Sequence, residues 1–223
     1  MPSIYKEIAI VEELLKPERY LEIGILKGKN LLQVDAKYKV GIDIAPKLIA
    51  RQNIKIYKGA SDKVFNSEKF KKEKPFDLIF IDAFHEYRQV VRDINNAVKF
   101  LNPKGIIVCH DVYPFDRLDL PNLTDKQPPN SLSAWTGDVW KAVFHVRWLM
   151  SKLDYCVVKN FPGYLYLRKR RKAREIDDSE LKERLGTDTV NENIIDNLTE
   201  EWVLNNLDLM NIVSLEELKE KLC

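Results

Sequence analysis

The chain has 223 residues, a formal net charge of +2, 45% hydrophobic residues and 31% charged residues. That length suits one well-cored domain with additions, and the balanced composition excludes a collagenous or wholly disordered chain and favours no particular class of charged partner. Three cysteines are too few and too scattered for a disulfide framework, with Cys109 and Cys156 inside apolar runs and Cys223 terminal. The N-terminus lacks the apolar core of a secretion signal, and no run approaches the roughly 18 apolar residues of a membrane span, so a cytoplasmic protein without a membrane partner is expected.

Strand and helix patterns alternate along the chain. Ile4, Ile8, Val11, Leu14 and Leu15 keep helical spacing until Pro17 ends the helix. Residues 19–25 read as a first strand, 28–36 as a short helix and 39–44 as a second strand, after which Pro46 is placed to start a helix. A third strand, Ile54-Lys55-Ile56-Tyr57, leads to Gly59-Ala60-Ser61-Asp62. Phe76-Asp77-Leu78-Ile79-Phe80-Ile81-Asp82 is apolar enough for a strand buried on both faces. The next helix carries Tyr87, Val90, Val91, Ile94, Ala97, Val98 and Leu101 on one stripe. Asn102-Pro103-Lys104-Gly105 stops it, and Gly105–Asp111 is the fifth strand.

Residues 112–135 hold four prolines and little periodicity, the pattern of a long functional loop. A helix resumes at Thr136-Gly137-Asp138, with Val139, Ala142, Val143, Val146 and Met150 as its apolar face. Two strands follow, Tyr155–Lys159 and Tyr164–Arg168, joined by Phe161-Pro162-Gly163 as a hairpin. The expected domain is therefore residues 1–168, a mostly parallel seven-stranded sheet that ends in an antiparallel hairpin, with helices on both faces. Residues 169–223 form a charged, helical extension. Helices are expected near 178–185, 190–205 and 214–222, packed on the main domain or on a second copy of the chain as a homodimer.

The first strand runs into Glu22-x-Gly24-x-x-x-Gly28, and the second ends at Asp43, 19 residues after Gly24. Glycines let a backbone approach a nucleoside cofactor, and a carboxylate accepts both ribose hydroxyls. The three-glycine dinucleotide fingerprint is not met, which disfavours an NAD-dependent oxidoreductase. Asp82 and Asp111 end adjacent strands about 5 Å apart, so two hard oxygen donors can meet at one cleft and hold Mg²⁺. His85 and His110 fall at the same edge, where an imidazole takes a hydroxyl proton or simply packs. His145 sits inside a helix as a structural residue. Trp135, Asp138 and Trp140 are candidates either for an acceptor pocket or, for the tryptophans, for the core. The basic run at 168–174, with Arg168-Lys169-Arg170-Arg171-Lys172, either touches RNA phosphates or, lacking the interleaved aromatics of a nucleic-acid site, is a solvated linker, and the second reading is favoured.

The Glu-x-Gly-x-x-x-Gly loop resembles the first motif of class I S-adenosylmethionine (SAM) dependent methyltransferases. Asp82-Ala83-Phe84-His85-Glu86-Tyr87, His110-Asp111-Val112-Tyr113-Pro114 and Trp135–Lys141 resemble the subfamily of macrocin or macrolide-sugar O-methyltransferases and cephalosporin-biosynthesis relatives. The resemblance covers roughly residues 5–168 and implies a Rossmann-like fold. It implies a SAM site at Glu22, Gly24, Ile25, Gly28, Asp43, Ile44, Ala60, Ser61 and Asp82. It further implies O-methylation of a small-molecule or glycan acceptor, with His85, His110 and Asp111 as catalytic groups and Asp82 and Asp111 as ligands of an optional Mg²⁺. Metal-dependent members carry two consecutive acids after the fifth strand, where this chain has His110-Asp111, and histidine is a poor Mg²⁺ ligand. The fourth-strand segment lacks the Asn/Asp-Pro-Pro-Tyr/Phe signature of amino-methylating relatives. That disfavours a nucleic-acid methyltransferase, and a non-catalytic methyltransferase-like binding domain stays open.

Overall fold

A computed structural model describes residues 5–114, 136–160 and 162–222. Eight strands form one sheet in the order β3-β2-β1-β4-β5-β7-β6-β8. These are β1 (Arg19–Ile23), β2 (Tyr38–Asp43), β3 (Ile54–Lys58), β4 (Phe76–Ile81), β5 (Leu101–His110), β6 (Leu153–Val158), β7 (Tyr164–Lys169) and β8 (Ile212–Val213). β1 to β5 are parallel, and β7 runs antiparallel to both β5 and β6.

The doubly buried reading of the fourth strand holds residue by residue. Leu78 and Phe80 enter the apolar layer that contains Ile8 and Val11 of α1 (Tyr5–Leu15), while Ile79 and Ile81 enter the layer beneath α4 (Tyr87–Lys99) and α5 (Lys141–Leu149). Side chains alternate across a strand, so a strand apolar on both faces, as β4 is from Leu78 to Ile81, sits between two covered layers. On α4, Tyr87, Val90, Val91, Ile94 and Ala97 are the buried apolar residues, and Asp93 is buried with them. Each large apolar side chain among them contributes about 1.5–3 kcal/mol by leaving water.

Four expectations are corrected. Pro46 starts no helix. The Asp43 carboxylate turns the chain by accepting the Ala45 N–H at 2.7 Å, and Lys47 N–H then donates to the Leu26 carbonyl. The Asn102–Gly105 stop lies inside β5, where Phe76 pairs with Leu101 but Leu78 already pairs with Ile106, so these four residues bulge out of register. The helix expected over 190–205 is two helices, α7 (Glu192–Asp196) and α8 (Glu200–Leu204), because Asn191 and Thr199 each cap a fresh start with a side-chain oxygen. The sheet gains an eighth strand, β8, parallel to β6.

The tail packs on the sheet's own layers. Leu181 of α6 (Ser179–Leu185), Ile195, Leu198 and Val203 join the α4–α5 layer, and Leu218 of α9 (Leu215–Leu222) joins the α1 layer. Cys109 and Cys156 are free and buried, and burial pushes the Cys109 thiol well above its ordinary value. Among the described residues no helix is long and apolar enough to cross a membrane. The 112–135 loop beyond Pro114, together with Trp135, Phe161 and Cys223, lies outside the described residues.

Candidate active site

The carboxyl ends of β1, β2, β4 and β5 meet at one edge. Gly24 follows β1 with φ +89°, and a Cβ there would lie 1.8 Å from the Asp82 carbonyl oxygen. Its N–H donates to the Ile42 carbonyl while Asp82 N–H donates to Ile23, so this turn is squeezed between two neighbouring strands. Gly24→Ala is expected to cost at least about 3 kcal/mol, through both the left-handed backbone and the clash, read as a drop in the urea midpoint. Gly28, also left-handed, precedes α2 (Lys29–Gln33) and packs against the Leu48 side chain.

Asp43 is half-buried at the end of β2, and its second oxygen accepts the Leu26 N–H at 2.8 Å. The glycine loop and the β2 carboxylate are therefore one unit. Each carboxylate oxygen keeps further acceptor capacity. Ile44 is 70% exposed beside it, whereas Ile25 is buried beneath Gly41 and offers only its backbone to the cleft. Ala60 and Ser61 open α3 (Ser61–Phe65) after β3, and Ser61 Oγ accepts a bond from Gln89 of α4.

Glu22 lies beneath this loop, 2% exposed, and accepts a hydrogen bond from the Tyr20 hydroxyl at 3.0 Å. Burial pushes its carboxyl up to about 8, against the lowering effect of hydrogen bonds from Tyr20, Asn30 and the Leu31 N–H. A folded pKa above the ordinary 4.5 means that the native state keeps a proton the unfolded chain has lost. The Glu22 contribution to stability is therefore expected to fall as pH rises toward 8, by about 3–5 kcal/mol in all, and to level off above it. The buried Asp93 carboxyl, raised by desolvation to about 6, and the His110 imidazole, held above its usual range, also lose stability as pH rises, so the Glu22 share is the difference between the native profile and that of Glu22→Gln. Glu22→Gln should make that profile shallower below pH 8, and an unchanged slope in the variant would count against the assignment.

The third feature joins two carboxylates and two imidazoles. His85 Nε2 lies 3.3 Å from Asp82 Oδ1 and 3.1 Å from Asp111 Oδ2. His110 Nδ1 lies 3.5 Å and 2.9 Å from the same two oxygens. Acids and bases thus alternate around a quadrilateral. Burial alone would lower His110, but hydrogen bonds to Asp111 and Asp82 outweigh it and hold this imidazole well above its usual range. Burial also works to raise Asp82, and the bonds from His110 and His85 instead hold it well below the usual carboxylate range. His110 Nε2 is buried without a hydrogen-bond partner among the described residues, and its ring lies between Phe80 and Tyr164. Asp111 takes φ +63°, a left-handed turn that departs from the strand at the point where its carboxylate must face back toward Asp82.

The expected pair Asp82 and Asp111 is brought together, and His85 joins it. One ligand atom from each of the three lies within 4.8 Å of the others. Such a mixed nitrogen and oxygen set fits a first-row transition ion better than Mg²⁺. Trp140 is buried and stacks edge-on with Phe144, so it is core. Asp138 holds the start of helix α4, since its Oδ1 receives the Tyr87 N–H at 2.6 Å. Gly137 sits so close to the His85 carbonyl that a Cβ would approach it to 1.9 Å. The 137–138 turn therefore clamps the segment that carries His85. The motif reading singled out Thr136-Gly137-Asp138 as a helix start, and the contact across to residues 85–87 carries no local signal. His145 is structural, as expected, with its Nδ1 2.8 Å from the Tyr87 hydroxyl.

A family model described as "Methyltransferase domain" matches residues 21–112, from β1 through the turn after β5. No curated protein sequence matches the chain. Solved structures share the fold. SAH-bound methyltransferase PaMTH1 of Podospora anserina is 22% identical with a TM-score of 0.56, covering 76% of this chain and 80% of its own. An O-methyltransferase of Bacillus cereus in complex with SAH is 15% identical with a TM-score of 0.54, covering 76% and 82%. The methyltransferase MycE of the mycinamycin biosynthetic pathway, in complex with Mg, SAH and mycinamycin VI, is 16% identical with a TM-score of 0.51, covering 75% of this chain and 49% of its own. Residues 21–112, which build the cleft edge, thus match a methyltransferase-domain model, and the chain has the fold of solved SAH-bound methyltransferases.

Proposed function

We propose that this protein is a SAM-dependent O-methyltransferase acting on the hydroxyl of a small molecule or sugar. The observation that carries the reading is the convergence of the Gly24–Asp43 unit with the acid–imidazole quadrilateral at one sheet edge. The first would hold SAM, with Asp43 on the ribose hydroxyls, Ile44 and the Ala60–Ser61 turn against adenine, and Gly24 and Gly28 beside the amino-acid moiety. Glu22 supports that loop from below through Asn30 and Leu31. The second faces the acceptor. MycE, which shares this fold, is in complex with Mg, SAH and mycinamycin VI, and that complex favours a small-molecule substrate here.

Methyl transfer is an in-line displacement. The acceptor oxygen forms a bond to the methyl carbon, the carbon–sulfur bond breaks, and its electron pair returns to sulfur to leave SAH. The acceptor proton must depart, and the His85 imidazole with its flanking carboxylates is the group positioned to receive it. The protein otherwise orients the two reactants and excludes water. Alternatively, Asp82, His85 and Asp111 would hold a divalent cation, whose Lewis acidity would lower the pKa of the acceptor hydroxyl; His85 would then be a ligand and not the proton acceptor. The test is an acceptor panel of hydroxylated glycosides and phenols with SAH formation as the readout. Each acceptor is assayed after chelation and again with Mg²⁺, Mn²⁺ or Co²⁺ added. Turnover of a hydroxyl acceptor supports the reading. Turnover confined to amines, or none across the panel by a protein that binds SAM, would contradict O-methylation.

A further inference from the structure

A wide cavity among the described residues lies apart from the methyltransferase cleft. It has a volume of about 1230 Å³ and lies at the opposite edge of the sheet. β7 enters beside the active edge, with Tyr164 opposite His110, and leaves at the far edge, with Arg168 opposite Ile106. The cavity opens there, between the Pro103–Lys104 bulge, the far ends of β6 and β7, and the last turn of α9.

Its charge is one-sided. Eight lysines and arginines line it against one carboxylate, Asp154, on a chain whose overall net charge is only +2. Among the described residues Asp154 is the one acid that pairs with any of the eight, and it pairs with Arg170. Three others donate to uncharged carbonyls instead: Arg168 to Lys221 at 3.1 Å, Lys169 to Leu101 at 2.6 Å and Arg174 to Val146 at 2.6 Å. Carbonyls satisfy the N–H groups and fix these side chains without cancelling their charge. Lys104, Arg171, Lys172 and Lys221 are exposed around the opening.

The basic run is also not the loose linker its composition suggests. Arg170 N–H donates to Lys152 at 2.9 Å and Arg174 N–H to Ser151 at 2.8 Å, which pins the run against the turn that precedes β6. A concave surface with fixed, uncompensated positive charge focuses an anionic ligand, and planar guanidinium groups match phosphate oxygens. We infer that this cleft binds a chain of phosphate groups, at a site separate from that for SAM. The phosphates come either from a free oligophosphate, such as a nucleoside triphosphate, or from the backbone of a single-stranded nucleic acid.

The experiment uses the full chain and follows the anisotropy of a fluorescein-labelled single-stranded RNA, with inorganic tripolyphosphate as competitor. The RNA should bind at ~50 mM salt with a log–log salt slope of about −3, the value for four neutralised phosphates. Arg171→Glu combined with Lys172→Glu should weaken binding at least about tenfold. Lys71→Glu combined with Lys72→Glu, on exposed residues outside the cleft, should leave it within about twofold, and thermal melts establish that both variants fold. Displacement of the RNA by micromolar tripolyphosphate assigns the site to oligophosphates, and its failure to displace assigns it to the strand. No binding of either probe, or equal weakening by the two double variants, overturns the proposal. Neither result depends on SAM, so failure here and failure of the methyltransferase reading remain distinct.

Discussion

Asp43→Ala is expected to weaken SAM binding about 100-fold or more, the loss of two charge-assisted hydrogen bonds at roughly 1.5–3 kcal/mol each. The side chain does two jobs in the structure. It holds the glycine loop through Leu26 N–H and turns its own strand end through Ala45 N–H. Truncation would therefore remove the proposed ribose acceptor and also free the loop beside the proposed cofactor site. Asp43→Asn separates the two effects. One amide oxygen can keep the Leu26 bond, while the NH₂ cannot accept from a ribose hydroxyl. Calorimetry should find Asp43→Asn weakened about tenfold or more, with Asp43→Ala weaker still. Equal affinity of all three proteins would remove Asp43 from the cofactor site.

The second large effect concerns the quadrilateral. His85→Ala and Asp111→Asn should each lower the rate of methyl transfer by about 10²–10⁴, the usual contribution of a positioned proton acceptor. SAM affinity should stay within about threefold, because neither side chain belongs to the Gly24–Asp43 unit. The two variants should also not be additive. Both break the same ring of contacts around His85 Nε2, so the double variant should lose little more than the worse single one. Multiplied losses would mean that His85 and Asp111 act in separate steps. Loss of Mn²⁺ binding in Asp82→Ala, followed by electron paramagnetic resonance, would further identify the triad as a metal centre.

Much of this edge is legible in the chain because its parts are local. A strand, a glycine turn, a second strand and an acid lie within 25 residues, and the left-handed Gly24 is a conformation that only glycine adopts without strain. The meeting of Asp82 and Asp111 follows from two apolar strands that end in acids, once β4 and β5 are neighbours. What escapes the sequence depends on contacts between distant segments. Glu22 belongs to the cofactor motif, yet Tyr20, two residues earlier on the same face, and Asn30 at the next helix hold it below the loop. The failure of Pro46 to start a helix is decided by Asp43 and Leu26 rather than by proline itself. β8 is two residues long, too short for any periodicity. The basic cleft needs Lys104, Arg171 and Lys221, from three separate stretches of chain, to face one opening.

The central claim is that this edge is a SAM site. Calorimetric titration of SAM into the native protein, with NAD titrated in parallel, tests it most directly. The account predicts micromolar SAM binding at one site per chain and no heat from NAD. Binding of NAD, or the absence of SAM binding with and without added divalent metal, would contradict it.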